Sequence, residues 1–364
     1  MNLNPFSGFL KKESYLGIDI GTTSIKAVEL KKGKTKPELV NYAFLETFGY
    51  LERFNTALQT STLKLYDNEV AEYIKLIIRK SNFQSKQVMA SLPAFAAFTT
   101  LVDMPLLSEK EIDQTLRFKA KQYIPLPAAS VSIDWIKVRE KNDERGNRVQ
   151  QVFLVAIPND YIKQYQNIFR LAGLDLLALE VDGFSLARIL TAGQVKPVMI
   201  IDIGSRSSVF LVAQNGRLQF ISQSDFAGSS LTQSVASGLG INMRRAEELK
   251  KQRGLSGLGY GPEQELSTLL LPLLDVIINE AKRAKANYES SYQQEITGVV
   301  LSGGGASLSG IESYFKRELG LPISKSQPFS AVEYSPKVEP LADSIGPSFA
   351  VALGLAVKPF FDQK

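Results

Sequence analysis

The chain has 364 residues, 44% of them hydrophobic, with 42 basic and 37 acidic side chains giving a net charge of +5, enough apolar material for a large core and at least two domains. It contains no cysteine and no histidine, which excludes disulfides, zinc fingers, thiol nucleophiles, Ser-His-Asp triads and imidazole acid–base chemistry. The lysines are scattered rather than interleaved with aromatics, so no nucleic-acid surface is indicated, and any catalysis must use carboxylates, lysines, hydroxyls or a bound metal.

Residues 1–13 lack the basic-then-apolar order of a signal peptide and read as a tail. Phe6, Phe9, Leu10 and the neighbouring lysines also suit a weak membrane-touching segment. The first strong signal is the run 15–30, where an apolar strand ends in Asp19-Ile20-Gly21-Thr22-Thr23-Ser24 and a second β-rich run follows. The glycine permits a tight turn, and the pattern reads as a β-hairpin whose tip offers backbone N–H groups to a phosphate. Asp19 beside it suits Mg²⁺ held through water. Helical spacing of Val70, Ile74, Ile77 and Ile78 predicts a helix over 68–80, and 87–92 returns to a strand.

From about residue 98 the texture changes. A strand at 99–104 leads to a helix opening at Ser108, with Glu109 and Glu111 in its first turn. Two strands follow, at 131–139 and 148–157, joined by a polar turn; this β-α-β-β block reads as an insertion. A helix (159–172), a strand (174–181) and a second helix (183–191) complete a first lobe. Then the opening pattern recurs: an apolar strand delivers Asp202-Ile203-Gly204-Ser205-Arg206-Ser207-Ser208 into another β-rich run. Recurrence at domain scale implies two related lobes, and two such hairpins facing one another would clamp a nucleoside triphosphate.

Residues 229–294 read as helical; within them 269–278 is the most apolar stretch of the chain but carries Pro272 and Asp275, and no segment is expected to span a bilayer. Glu247 and Lys250, and likewise Glu280 and Arg283, are spaced as i,i+3 pairs on helix faces. An apolar strand then ends in Gly303-Gly304-Gly305, where backbone free of side chains could lie flat against a purine, and a helix follows over 309–319. The run 344–356 is rich in small residues and suits a closely packed helix between lobes.

This order of elements resembles the actin-like ATPase superfamily, a two-lobed α/β fold of ribonuclease H-like type, each lobe a mixed sheet flanked by helices. The β-α-β-β block lies in the first lobe and the helical insertion in the second. Asp19 to Thr23 resembles its first phosphate loop, Asp202 to Ser208 its second and Gly303 to Gly305 its adenosine motif. The resemblance implies ATP as ligand, with phosphate contacts from Gly21, Thr22, Thr23, Lys26, Gly204 and Ser205, and Mg²⁺ held by Asp19 and Asp202. Glu247, Lys250, Glu280, Arg283 and the three glycines would hold the nucleoside. Arg206 stands where many relatives have a small residue, so it either reaches a phosphate or narrows the second loop. Asp182 lies where hydrolytic relatives place a water-orienting Glu; its shorter side chain implies slow turnover.

Within that superfamily the phrases Lys121-Gln122-Tyr123-Ile124-Pro125, Val181-Asp182-Gly183-Phe184-Ser185-Leu186-Ala187-Arg188 and Pro347-Ser348-Phe349-Ala350-Val351 resemble the PilM family of type IV pilus assembly. That resemblance implies a cytoplasmic scaffold peripheral to the bacterial inner membrane, docking the N-terminal cytoplasmic peptide of a PilN-type protein, with self-association open and membrane contact indirect. Asn2-Leu3-Asn4-Pro5 loosely resembles a motif of such partners, which suggests that the tail competes for the same groove. An FtsA-like filament-forming ATPase, a type II secretion component and a sugar kinase are the alternatives, the last without a convincing catalytic Asp. The expected division is 14–97 with 157–196 (first lobe), 98–156 (its insertion), 197–228 with 295–343 (second lobe), 229–294 (its helical insertion) and 344–364 (a helix returning to the first lobe).

Overall fold

The computed structural model describes residues 14–47, 66–143, 145–255 and 262–361; the expected N-terminal tail and residues 362–364 lie outside the described residues. In chain order the first part comprises β1 (Ser14–Ile20), β2 (Ser24–Lys31), β3 (Glu38–Glu46), α1 (Asp67–Lys80) and β4 (Gln87–Leu92). It continues through β5 (Phe98–Pro105), α2 (Glu109–Tyr123), β6 (Val131–Asn142), β7 (Arg148–Pro158), α3 (Asn159–Ala172), β8 (Asp175–Val181) and α4 (Asp182–Thr191). The second part comprises β9 (Val198–Ile203), β10 (Ser208–Gln214), β11 (Arg217–Ser224), α5 (Gly228–Leu239), α6 (Met243–Arg253) and α7 (Pro262–Tyr292). It ends with β12 (Val299–Ser302), α8 (Ile311–Leu319), β13 (Ile323–Lys325) and α9 (Glu339–Phe361).

The two lobes are built on one plan. The first holds a five-stranded sheet in the order β3-β2-β1-β4-β8, the second a five-stranded sheet in the order β11-β10-β9-β12-β13. In each, the antiparallel hairpin precedes a strand that pairs parallel with the hairpin's first strand: β4 beside β1, β12 beside β9. The central strands are apolar on both faces, as helices covering a parallel sheet require. Helix α1 buries Val70, Ala71, Ile74 and Ile77 on one stripe, the face that its 3.6-residue period presents to a core.

The plans diverge in what is inserted. Between β4 and β8 the first lobe carries the third sheet, three-stranded in the order β5-β7-β6, together with α2; the second lobe has only α8 between the equivalent strands. At the start of α2 both the Ser108 N–H and its hydroxyl donate to the Glu111 carboxylate, which satisfies an N–H left unpaired by the helix end. Between β11 and β12 the second lobe carries α5, α6 and α7 where the described residues of the first lobe hold α1. Strands β3 and β11 escape a reading of the sequence. β3 is only half-buried on both faces and β11 is rich in Gln and Ser, so neither shows the apolar alternation that marks a strand.

Helix α9 corrects one expectation. The helical stretch Pro336–Phe361 contains an 18-residue window with a mean hydropathy of 1.4 and is, by length and composition, long and apolar enough to cross a membrane. Here that apolarity serves packing, since 67% of that window is buried inside the protein. The helix passes so close behind β1 that a Cβ on Gly17 would meet the Ala352 carbonyl and lie 2.6 Å from the Ala356 nitrogen. Gly354 meets the backbone of Ser185 in α4 in the same way. An ion cluster fixes this crossing: Glu180 of β8 binds Arg188 of α4 at 2.7 Å and Lys358 of α9 at 2.9 Å. One apolar cluster joins Tyr15 and Met89 of the first lobe, Phe153 and Val155 of the third sheet, Ile200 and Val209 of the second lobe and Val351 and Leu355 of α9. The lobes therefore share a floor, and the cleft lies above it.

Candidate functional site

The two hairpin turns close identically. Gly21 N–H donates to the Ser24 carbonyl at 2.9 Å, and Gly204 N–H to the Ser207 carbonyl at 3.0 Å. A Cβ would lie 3.0 Å from the same carbonyl in the first turn and 2.9 Å in the second, so both glycines are demanded by the turn itself. Their N–H groups are consequently committed to the turns, and it is Thr22, Thr23, Ser205 and Arg206 that present the tips to the cleft.

Between the tips lies a cavity of about 510 Å³, lined from both lobes. Asp19, Gly21, Thr22, Thr23 and Lys26 reach it from the first hairpin, and Asp202, Gly204, Ser205 and Arg206 from the second. Asp182, Glu247, Lys250, Gly303, Gly304 and Gly305 complete the set that the sequence suggests. Glu280 and Arg283 are absent from this wall. They pair with each other at 2.9 Å on α7, Arg283 being 74% exposed, which is the ordinary behaviour of an i,i+3 pair on a solvated helix face.

Each hairpin aspartate has a serine partner from the neighbouring parallel strand, which a reading of the sequence missed. Ser91 at the end of β4 donates to Asp19 at 2.8 Å. Ser302 at the end of β12 pairs in register with Asp202 and hydrogen-bonds it. Aligning the two halves would have shown the signal, because both parallel strands carry a serine in their last two residues.

The electrostatics differ between lobes. Asp19 is bridged to Lys26 at 3.2 Å, directly across the hairpin. Asp202 has no ion pair among the described residues, and burial together with repulsion from Asp19 raises its carboxyl to about 6, against the pull of Ser302 and Lys26. Asp182 is raised well above the ordinary carboxylate range, first by burial and then by Asp202 and Asp19. Its Oδ1 is buried with no hydrogen-bond partner among the described residues. Three carboxylates thus crowd one cleft, a cost that a cation would relieve.

Across the cavity Lys250 donates to the Gly228 carbonyl at 2.9 Å and to Thr232 Oγ1 at 2.7 Å, and is bridged to Glu247 at 2.6 Å. Burial lowers the Lys250 ammonium, partly offset by Glu247. For Glu247 burial acts upward, but the Lys250 charge and the hydrogen bonds of Lys250 and Thr232 outweigh it and leave the carboxyl below its usual value. This locked group fastens α6 to the start of α5. At the mouth, Lys251 of α6 reaches Glu46 of β3 at 3.3 Å, a link between lobes unread in the sequence.

The three glycines divide their work. A Cβ on Gly303, whose φ is +78°, would lie 2.5 Å from the Ile203 carbonyl oxygen, and one on Gly305 would lie 2.7 Å from Ile203 Cβ. Both are glycine because the loop presses on the end of β9. Only Gly304 leaves open room, its nearest neighbour being Ser348 Oγ at 3.9 Å.

The family described as Type IV pilus assembly protein PilM matches residues 17–360. The chain belongs to the PilM family. Among solved structures, the PilM–PilN type IV pilus biogenesis complex superposes with a TM-score of 0.82 at 23% identity, over 94% of this chain and 98% of that one. MreB 5 of Spiroplasma citri bound to AMPPNP gives 0.57 at 14% identity, over 97% of each chain. The ethanolamine utilization protein EutJ from Carboxydothermus hydrogenoformans gives 0.55 at 16%, over 95% of this chain and 90% of that one. The fold of this PilM-family chain is therefore the two-lobed actin-like one, and its place is in type IV pilus assembly.

Proposed function

We propose that this PilM-family scaffold binds ATP, with Mg²⁺, between its two lobes and that nucleotide state governs how it presents itself to an inner-membrane partner. One observation carries the reading: two identical glycine turns, each with an Asp at its base and a serine behind it, converge on a single cavity from related lobes. Thr22, Thr23, Ser205 and Arg206 would meet the phosphates, with Lys26 adding charge. Gly304 and the Glu247–Lys250 group would border the nucleoside.

The donor set suits a hard cation. Among the described residues no three acidic side chains stand close enough to ligate an ion directly, so Asp19 and Asp202 would hold Mg²⁺ through its waters. Bound there, the ion would neutralise phosphate charge. Asp182 lines the cleft where hydrolytic relatives place a longer Glu, and its shorter side chain is poorly suited to orient an attacking water, which supports turnover below about 1 s⁻¹.

The partner we propose is the N-terminal cytoplasmic peptide of a PilN-type protein, docked on the first lobe beside the third sheet, placing this chain in the cytoplasm against the inner membrane. The division into lobes and insertions at 14–97, 98–156, 157–196, 197–228, 229–294 and 295–343 belongs to the same proposal, the third sheet and α2 acting as one unit. Calorimetric titration with Mg-AMPPNP, followed by capture on immobilised PilN-type peptides with and without nucleotide, tests both halves. Fast phosphate release by the pure protein, or peptide capture indifferent to nucleotide, would remove the scaffold reading.

A further inference from the structure

The cavity wall contains four basic side chains, Lys26, Arg206, Lys250 and Lys251. Three of them are already engaged: Lys26 with Asp19, Lys250 with Glu247, and Lys251 with Glu46 and Glu247. Arg206 forms neither an ion pair nor a side-chain hydrogen bond with any described residue, although it is half-buried and carboxylates share its cleft. A guanidinium keeps its charge at any accessible pH, and leaving it partly desolvated without an anion is unfavourable.

Its position is fixed as well as unpaired. The second turn is tied to the start of α5 by Gly228 N–H to the Gly204 carbonyl at 3.0 Å and Ser229 N–H to the Ser205 carbonyl at 2.7 Å. That anchoring fixes the backbone from which Arg206 enters the cavity that Thr22 and Thr23 of the first turn also line. The nucleoside end of the cavity is bounded by other elements, around Gly304 and Glu247. A polyphosphate lying from there toward the turns brings its last phosphate to the two tips. Arginine offers two parallel N–H donors to two phosphate oxygens, a match that lysine lacks.

We infer that Arg206 reads the terminal phosphate of a nucleoside triphosphate and so sets the preference of this cleft for triphosphate over diphosphate. The inference rests on the cleft being a nucleotide site. It also supplies the differential affinity that any nucleotide-driven change of lobe closure requires, because release of the terminal phosphate returns Arg206 to its unpaired state.

The test is calorimetric titration of the full chain, stripped of nucleotide, with ADP and with AMPPNP in Mg²⁺, for wild type, Arg206→Ala and Arg206→Lys. Loss of a charge-assisted contact predicts that Arg206→Ala binds AMPPNP about tenfold more weakly or worse, while ADP affinity stays within about twofold. Arg206→Lys should fall between wild type and Arg206→Ala for AMPPNP alone, and it carries the test if Arg206→Ala has a lowered melting temperature. Equal losses for both nucleotides, or no loss for either, would overturn the assignment of Arg206. Wild type binding neither nucleotide would overturn the underlying nucleotide reading, and this inference with it.

Discussion

The turns at Gly21 and Gly204 share one backbone geometry and differ in what surrounds them. In the first lobe, Asp19 is neutralised by Lys26 across the hairpin, and the turn is braced by Thr47 N–H donating to the Thr23 carbonyl at 2.8 Å. In the second lobe, Asp202 has only serine and distant charge for company, while the turn is braced by the first backbone N–H groups of α5. The difference shows how a duplicated scaffold specialises. Backbone hydrogen bonds preserve the turn, and a few side chains decide that one half brings a paired carboxylate and the other a frustrated carboxylate with an arginine that has no ion pair among the described residues.

The most severe way to break this comparison is to push apart what lies behind each turn. Gly17→Ala drives a methyl into α9, and Gly303→Ala places one against Ile203 at a positive φ. Each should destabilise by about 3 kcal/mol or more, because rigid backbone cannot yield. Gly304→Ala, facing open room, should cost less than about 1 kcal/mol. Denaturant midpoints check all three, and a small effect at Gly17 would mean that α9 can move away from β1.

Removing the carboxylates comes next. Asp19→Ala and Asp202→Ala should each weaken Mg-AMPPNP binding by about 2–3 kcal/mol in calorimetry without unfolding the chain. Unchanged affinity in both would dismiss the pair as the metal-bearing residues.

The frustration at Asp202 should be visible without nucleotide. An acid whose folded value is raised from 3.8 to about 6 lends stability below pH 4 and loses it as pH rises through 6. Asp202 keeps partial solvent access at the cavity wall, so Asp202→Asn should stabilise the nucleotide-free protein in chelator by about 1–2 kcal/mol at pH 7.5, the gain vanishing near pH 4. Thermal melts at both pH values decide it. Glu180 is the contrast: burial acts upward, but Arg188 and Lys358 overcome it and hold the carboxyl near 2, so its contribution persists above pH 4.5 and is lost only as pH falls toward 2.

The smallest effect belongs to the mouth. Lys251 and Glu46 are exposed by 60% and 58%, and such pairs contribute little in salt. Lys251→Gln should speed release of a fluorescent nucleotide by no more than about threefold, and the change should shrink as ionic strength rises.

Much of this could be read from residue order. The duplicated Asp-x-Gly turns, the glycine triplet, the β-α-β-β block and the helical run in the second half all follow local rules of periodicity and turn chemistry. Those rules also mark where glycine was needed, though not why. Gly303 and Gly305 suggested an open face for a purine, and the structure assigns them to contact with Ile203, leaving Gly304 alone facing room. Local rules failed at β3, half-buried on both faces, and at β11, rich in Gln and Ser, because neither shows a clear period. They failed too at Glu280 and Arg283, whose spacing fits a site and a solvated helix face equally well.

What the sequence determined by itself is the set of parts: two phosphate-type turns, their carboxylates, and a small-residue helix built for close contact. Each depends on neighbours within a few residues, where propensity and spacing suffice. What only the tertiary structure decided is which parts meet. Ser91 reaches Asp19 from 72 residues away in sequence, and Lys251 reaches Glu46 from 205. Among the described residues Arg206 is left unpaired beside three paired lysines. Such pairings depend on strand order and on how two lobes close over a shared core, and no local period encodes them.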